Sequence, residues 1–208
     1  MSTGRYYTLV IAACGAVIGY YYGRRTPNQA IQEKKPRKTK EIHEVIMFSD
    51  EGLISSKHYR NSVTPGMDRV LHYLNFPRHT LDVCMYVMTS PDICNVLLKL
   101  NLRRVKVRVI LDAEMAFASR SYFSRLQRQC IEVRWIKSSN IMHHKFCLID
   151  ASTESNEVVP LLMNGSLNWT KQATHGNYEN VTVTSQRELV EGYMKEFERL
   201  WVLFKPIV

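Results

Sequence analysis

Residues 143–150 of the chain read HHKFCLID. This stretch indicates both a secondary-structure element and a candidate reactive pair. Its apolar centre, from Phe146 to Ile149, has the composition of a buried β-strand. Side chains two positions apart on a strand project from the same face, so we expect His143 and Lys145 to lie side by side. A lone histidine is more often structural, but an imidazole beside an ammonium group is unusual in a core. The pair therefore points to chemistry on an anionic group.

Two more polar clusters follow this strand. The first reads NGSLN at residues 164–168, where Ser166 and Asn168 offer hydrogen-bond donors. The second is the pair Glu179 and Asn180, at the head of a further apolar run. Taken alone, either cluster is typical of an ordinary turn. Their weight comes from occurring together with the histidine–lysine pair.

From residue 44 onward, runs rich in valine, isoleucine and leucine alternate with helical patterns. Ser90 followed by Pro91 is typical of a helix start, so we expect a helix through about residue 102. A last helix is predicted over about residues 186–204, because its apolar side chains fall on one face. The alternation predicts an α/β fold, with a mixed β-sheet flanked by helices on both faces. The predicted strands are residues 45–48, 81–87, 105–111, 131–136, 145–149, 158–163 and 181–184.

The N-terminal segment has the features of a membrane anchor. Residues 6–22 contain no charged side chain, and 17 residues is the lower limit for spanning a bilayer. Arg24, Arg25 and a lysine-rich run follow, whereas only Arg5 precedes, which places the rest of the chain on the cytosolic side. A cleaved signal peptide is the alternative, but three consecutive tyrosines at 20–22 form a poor cleavage site. We therefore predict an anchor over residues 1–25, a basic linker over 26–42 and a catalytic domain over 43–208.

The net charge of +9 is distributed unevenly. Residues 1–40 contain eight Lys or Arg and one acidic residue, so most of the excess describes the flank of the anchor. Within the domain, residues 99–145 contain eleven Lys or Arg against three acidic residues. That segment, with Arg103, Arg104 and Lys106, is either a surface that binds a phosphate backbone or a solvated helix face.

No metal or other cofactor is expected from the sequence. The five cysteines are scattered without a C-x-x-C pair, which fits a reducing compartment rather than a disulfide framework. A glycine-rich phosphate loop is also missing, which argues against a nucleotide-binding α/β domain. Between residues 49 and 67, His58 is the only plausible zinc ligand, and a closed structural zinc site needs four.

Taken together, the three polar clusters resemble the signature of the phospholipase D superfamily. That signature is H-x-K-x4-D, then G-S-x-N, then an acidic residue. Here the matching residues are His143, Lys145, Asp150, Gly165, Ser166, Asn168 and Glu179. Together with the basic-flanked anchor, the stretches MHHKFCLID and NGSLNWT are similar to the mitochondrial cardiolipin hydrolase/zucchini endonuclease branch. Members of that branch often carry a Cys/His zinc module, which this sequence lacks.

The resemblance implies a role for each residue of the signature. His143 would attack phosphorus, while Lys145, Ser166 and Asn168 would hold the phosphate oxygens. Glu179 would orient the nucleophilic imidazole, and Asp150, although part of the catalytic signature, is expected to brace the local structure. One motif per chain implies that two chains pair, so that a homodimer builds one site. The reaction would need no metal.

The resemblance also implies two substrates that the motif does not separate. The first is single-stranded RNA, and also single-stranded DNA, cut to 5′-phosphate ends in piRNA biogenesis at the mitochondrial outer membrane. The alternative is the membrane lipid cardiolipin, hydrolysed to phosphatidic acid. A non-catalytic scaffold is a third class, and the intact set of signature residues argues against it.

Overall fold

The computed structural model describes residues 41–49, 63–116, 122–136, 138–153, 155 and 157–206. All of these lie in one of the two units of the chain, Lys40–Val208. The described part contains no helix long and apolar enough to cross a membrane. The predicted anchor, residues 1–25, and the predicted linker up to residue 40 lie outside the described residues and remain predictions.

The described residues form one sheet of eight strands in the order β1-β7-β6-β5-β2-β3-β4-β8. Strands β2, β3 and β4 run parallel to one another, and the other neighbours pair antiparallel. The strands are β1 (His43–Phe48), β2 (Thr80–Met85), β3 (Lys106–Leu111), β4 (Glu132–Trp135), β5 (Lys145–Ile149), β6 (Leu161–Gly165), β7 (Glu179–Thr184) and β8 (Lys205–Pro206).

Six helices lie in the described ranges, and their starts follow from local sequence. Thr64 and Ser90 each accept a hydrogen bond from the backbone of the first turn, and a proline follows each of them. The helices are α1 (Pro65–Leu74), α2 (Pro91–Leu102), α3 (Ala113–Ala116), α4 (Phe123–Arg128), α5 (Lys171–Gly176) and α6 (Arg187–Leu203). The predictions at 91–102 and 186–204 correspond to α2 and α6.

Two apolar clusters cover the two faces of the sheet. On one face, side chains such as Val83 and Cys147 pack with residues of α1 and α2. On the other, Phe146 and Leu148 pack with residues of α6. Burying a side chain of this size contributes roughly 1.5–3 kcal/mol, so alternation along β5 fixes which residues face which layer. The predicted α/β architecture, with helices on both faces of a mixed sheet, is confirmed.

The residues of the motif lie at two opposite ends of the sheet. Lys145 pairs with Met85, so the start of β5 meets the carboxyl end of β2; we call this the Lys145 end. Asp150 follows β5 and meets the start of β2 at Thr80; we call this the Asp150 end. Several strand boundaries differ from the predicted ones by one to three residues, and the largest shift is in β6, which begins at Leu161 rather than at residue 158. Pro160 precedes it, and a proline has no backbone N–H for a ladder.

Candidate active site

His143 and Lys145 lie side by side at the Lys145 end, as the strand pattern predicts. The Lys145 Nζ atom is 3.3 Å from each ring nitrogen of His143 and donates to the His143 backbone oxygen at 3.0 Å. His143 is exposed, whereas Lys145 is half-buried. The arrangement places a reachable imidazole and a fixed ammonium group at one point of the surface.

Two residues that sequence reasoning missed hold this pair in place. The ring of Tyr86 packs against His143 at a centroid distance of 4.7 Å, and its backbone N–H donates to the His144 carbonyl. Asp112 accepts from the backbone N–H of Met142 at 3.0 Å. Tyr86 and Asp112 directly follow the parallel strands β2 and β3. Polar residues at the carboxyl ends of parallel strands are the signal that could have identified them.

The surroundings of Lys145 shape its charge. Burial lowers the pKa of the Lys145 ammonium, and the nearby Glu179 carboxylate opposes that shift. A small, shallow cleft with a volume of about 10 Å³, enough for one water molecule, opens beside Lys145 and is lined also by Leu167, Trp169 and Val181. A partly desolvated cation at the mouth of a cleft is a suitable partner for a phosphate oxygen.

Glu179 is held by two neighbours rather than by His143. The hydroxyl of Ser166 donates to its Oε2, and Asn177 Nδ2 donates to its Oε1 at 2.9 Å. Ser166 Oγ also accepts from the backbone N–H of Asn180. A hydroxyl has one proton, so Ser166 cannot donate to a phosphate while it donates to Glu179. In this arrangement Ser166 positions Glu179, and its predicted role in substrate binding stays a prediction.

Gly165 explains why the second cluster begins with glycine. A Cβ at this position would lie 2.1 Å from the backbone oxygen of Asn180, which is far closer than atoms can approach. The absence of a side chain lets β6 and β7 come together at the Lys145 end. Ser166 and Glu179 can then meet across the two strands.

Asn168 is the one predicted site residue with an unsatisfied atom. It lies in the loop after β6, between two side chains that line the cleft, Leu167 and Trp169. Its side-chain carbonyl oxygen is buried and has no hydrogen-bond partner among the described residues. A buried polar atom without a partner costs free energy, and active sites are where such costs are commonly found.

Asp150 lies at the opposite end of the sheet from His143, where it stabilises the local structure. Its carboxylate is buried and accepts from the backbone N–H groups of Arg78, His79 and Thr80, at 2.7–3.1 Å. Its own backbone has a φ of 51°, in the left-handed region that aspartate tolerates. Asp150 therefore joins the end of β5 to the start of β2 and lies outside the cleft.

The three predicted substrate-binding cations are also far from the cleft. Arg103 and Arg104 follow α2, and Lys106 begins β3, where it pairs with Thr80. All three belong to the Asp150 end of the sheet. Their position in the sequence does not indicate which end of the sheet they occupy. The structure does not bring them to His143.

The part of the chain that the structure describes contains no group of three His, Cys, Asp or Glu residues placed to hold a metal ion. His58, the one candidate zinc ligand in its segment, falls within residues 50–62, which lie outside the description. Cys84, Cys94 and Cys147 are buried among apolar side chains, and burial raises the pKa of each thiol. They behave as small core side chains.

Comparison with known proteins agrees with the signature. Residues 70–201 match the family described as "Cardiolipin synthase, PLD-like domain". The mitochondrial cardiolipin hydrolase of Chlamydomonas reinhardtii is 37% identical over 175 residues, covering 79% of this chain and 75% of that protein. The mitochondrial cardiolipin hydrolase of Homo sapiens is 36% identical over 140 residues, covering 67% of this chain. That alignment spans 52% of the human protein, about half its length.

Two solved structures show the same fold. Nuc from Salmonella typhimurium, a phospholipase D family member, superposes with a TM-score of 0.64 at 21% identity, covering 81% of this chain and 99% of that chain. NucT from Helicobacter pylori gives a TM-score of 0.64 at 17% identity, covering 81% of this chain and 100% of that chain. On the family match and the identity to its relatives, the chain belongs to the phospholipase D superfamily, a superfamily of phosphodiesterases, and groups with the proteins named mitochondrial cardiolipin hydrolase.

Proposed function

We propose that the chain hydrolyses phosphodiesters without a metal, through a covalent phosphohistidine on His143. The observation that carries the proposal is the exposed imidazole held 3.3 Å from a half-buried ammonium group at the mouth of a cleft. The imidazole supplies a nucleophile, and the ammonium group stabilises charge on the non-bridging oxygens as it builds. Asn168, with its unpartnered buried amide oxygen, can turn its NH₂ group toward the same oxygens.

The reaction proceeds by two displacements. A ring nitrogen of His143 forms a bond to phosphorus while the bond from phosphorus to the leaving oxygen breaks. The leaving oxygen takes a proton from a general acid, for which the partner's His143 is the candidate. Water then attacks phosphorus, gives its proton to that same group and releases His143.

A second copy of the chain is proposed to complete the site. Each chain carries one signature, so the acid and the nucleophile come from two copies. Two exposed side chains with large apolar surface flank the cleft, Ile141 at 58% exposure and Tyr178 at 78%. Covering them in a dimer would remove that surface from water. If both His143 residues are required, activity should fall as the square of the wild-type fraction when His143→Ala is mixed in.

Single-stranded RNA is the first candidate substrate. The cleft, at about 10 Å³, is too small to enclose a ligand, whose sites usually have volumes of roughly 300–1,000 Å³. The phosphodiester would therefore react at the exposed surface beside His143 and Lys145, and the rest of the substrate would stay outside. A nucleic-acid strand presents such groups in series, and the products would carry 5′-phosphate ends, as piRNA biogenesis requires. Single-stranded DNA should be cut too, because the mechanism leaves the 2′-hydroxyl unused.

Cardiolipin is the second candidate, favoured by the names of the relatives. Those names also support a mitochondrial location. With the predicted anchor, they lead us to propose a single-pass protein of the mitochondrial outer membrane whose catalytic domain faces the cytosol. For cardiolipin, only the headgroup phosphate would meet His143 and Lys145, and the products would be phosphatidic acid and phosphatidylglycerol.

The deciding experiment offers purified full chain both labelled single-stranded RNA and cardiolipin vesicles in the presence of EDTA. Wild-type chain should release RNA fragments with 5′-phosphate ends, and His143→Ala should lower that rate by at least roughly a thousandfold. His72→Ala, an exposed histidine on α1, serves as the matched control and should retain the wild-type rate. Turnover of cardiolipin alone would select the second candidate. Equal rates for wild type and His143→Ala would overturn the enzymatic proposal.

A further inference from the structure

A group of exposed cations lies at the Asp150 end of the sheet, remote from the cleft. They surround the starts of β2, β3 and β4, and we call them the basic surface. None of them forms an ion pair with a described acidic side chain, whereas Arg108 and Arg134 close by are both paired. The basic surface consists of Arg78, Lys99, Arg103, Arg104, Lys106, Arg125 and Arg128.

Backbone and side-chain hydrogen bonds join its parts into one surface. The N–H of Lys106 donates to the His79 carbonyl at 2.8 Å, which links the start of β3 to the turn that carries Arg78. Asn101 Nδ2 donates to the Gln129 carbonyl at 2.8 Å, which links the end of α2 to the end of α4. A groove runs between α2 and α4, lined by Lys99, Leu102, Arg125 and Arg128 among others.

Apolar side chains are exposed among these cations. Leu102, next to Arg103, is 72% exposed, and Phe76, two residues before Arg78, is 44% exposed. Cations attract anionic lipid headgroups, and leucine or phenylalanine side chains enter the boundary between headgroups and acyl chains. Positive charge that no acidic side chain in the described ranges neutralises, combined with exposed apolar side chains, is complementary to an anionic bilayer.

A nucleic-acid strand fits this surface less well than a bilayer. Proteins that bind single strands combine cations with aromatic side chains on which bases stack. Phe76 is the one exposed aromatic side chain among the described residues of the basic surface. Its ring already contacts His72 and Tyr73, at centroid distances of 5.0 and 5.6 Å.

The point at which the chain enters the described fold is consistent with a basic surface that faces a membrane. Strand β1 begins with His43 opposite Thr184, so the chain enters the described fold at the Asp150 end. The predicted basic linker precedes that point. Exposed Glu41 and Glu157 lie at the β1–β7–β6 side of this end. Glu132, the first residue of β4, pairs with Arg134, so the unpaired positive charge remains on the β2–β3–β4 side.

We propose that the basic surface docks on an anionic lipid bilayer, with the Asp150 end toward the membrane and the Lys145 end away from it. Strand β2 separates the two ends by six residues, roughly 17 Å at about 3.3 Å per residue. The cleft then faces the aqueous phase, where an RNA strand reaches it and cardiolipin of the same bilayer does not. The inference is argued from the charges and exposure of the basic surface.

Hydrogen–deuterium exchange of the full chain in vesicles tests the docking. Phosphatidylcholine vesicles are compared with vesicles that also contain phosphatidylserine, so any anchor is present in both. Amides of residues 76–79, 99–106 and 125–130 should exchange more slowly only with phosphatidylserine. Amides of residues 141–145 and 177–180 should not change. The added protection should weaken as salt is raised, because salt screens exposed charges.

The triple variant Arg103→Gln, Arg104→Gly and Lys106→Gln should dock roughly a hundredfold more weakly and lose the added protection. Each cation near an anionic surface contributes about a fivefold factor to the equilibrium constant for docking. Glycine suits position 104, where φ is 68°, so the fold should be kept. The matched control is Lys195→Gln, Arg199→Gln and Lys205→Gln, which should behave as wild type. Equal exchange in both kinds of vesicle, or protection at residues 141–145, would overturn the proposal. Protection of the basic surface by single-stranded RNA but not by phosphatidylserine would overturn it as well.

Discussion

The two ends of strand β5 differ in what their charged groups contact. At the Lys145 end, His143 is exposed and a partly desolvated ammonium group lies beside it. At the Asp150 end, a buried carboxylate accepts from three backbone N–H groups. Each end also holds one buried side-chain oxygen without a described partner, the Asn168 amide oxygen and the Thr80 hydroxyl. One short motif therefore spans a reactive pair and a structural brace, so the signature residues divide between chemistry and architecture.

Lys145→Met should have the largest effect on activity, and it should change activity and stability in opposite directions. Removing the ammonium group takes away charge stabilisation, and phosphodiesterase activity should fall by about a thousandfold, or ~4 kcal/mol. The free energy of unfolding should rise by up to about 1 kcal/mol, because a half-buried charge is removed. Kinetics and urea unfolding at pH 7 provide the two readouts.

The pH dependence checks the same variant. Burial lowers the pKa of Lys145 in the folded state, so its charge destabilises the fold below that pKa. The stability gain of Lys145→Met should therefore shrink as pH rises through the lowered folded value toward 10.5, the ordinary value. Lys195→Met, an exposed position on α6, should change neither activity nor stability. A less stable Lys145→Met would contradict the contrast between the two ends.

Asp150→Asn should show the opposite pattern. An amide presents an NH₂ group where the carboxylate accepts from backbone N–H groups, and the free energy of unfolding should fall by about 2–3 kcal/mol. Activity per folded molecule should stay near wild type in the cold, because Asp150 lies outside the cleft. Asp92→Asn, exposed in the first turn of α2, is the control and should be neutral. A folded Asp150→Asn without activity would place Asp150 in the chemistry after all.

Glu44→Gln should give the smallest effect at the Asp150 end. Hydrogen bonds from Arg69 and Tyr73 lower the pKa of Glu44 to about 2, and this network ties α1 to β1. Because the folded pKa is depressed, the stabilisation is complete above pH 4.5 and is lost as pH falls toward 2. Urea unfolding should show a loss of about 1 kcal/mol at pH 7 that disappears near pH 2. Glu188→Gln, exposed on α6, should not show this dependence.

Much of the fold could be predicted from the sequence because short local patterns determine its strands and helices. Alternating apolar runs located the strands, and Ser90 with Pro91 located α2. The closeness of His143 to Lys145 was also predictable from their spacing of two residues, although β5 begins at Lys145 and His143 lies just before it. These features need no knowledge of distant parts of the chain.

What could not be predicted depends on contacts between distant segments. The hydrogen bond from Ser166 to Glu179 exists because Gly165 lets β6 and β7 approach closely. The position of Arg103 at the Asp150 end depends on the direction of α2 across the sheet. The brace function of Asp150 was expected from the resemblance, but its partners, the backbone N–H groups before β2, are about 70 residues away in sequence.

Trapping the phosphohistidine tests the chemistry proposed for His143. Full chain is mixed in EDTA with whichever phosphorus-labelled substrate it turns over, quenched in alkali within a turnover, and digested for mass spectrometry. We expect label on the peptide that contains His143, stable in alkali and lost in acid, and no label in His143→Ala. Turnover without a labelled peptide, or activity that EDTA abolishes and a divalent metal restores, would contradict it.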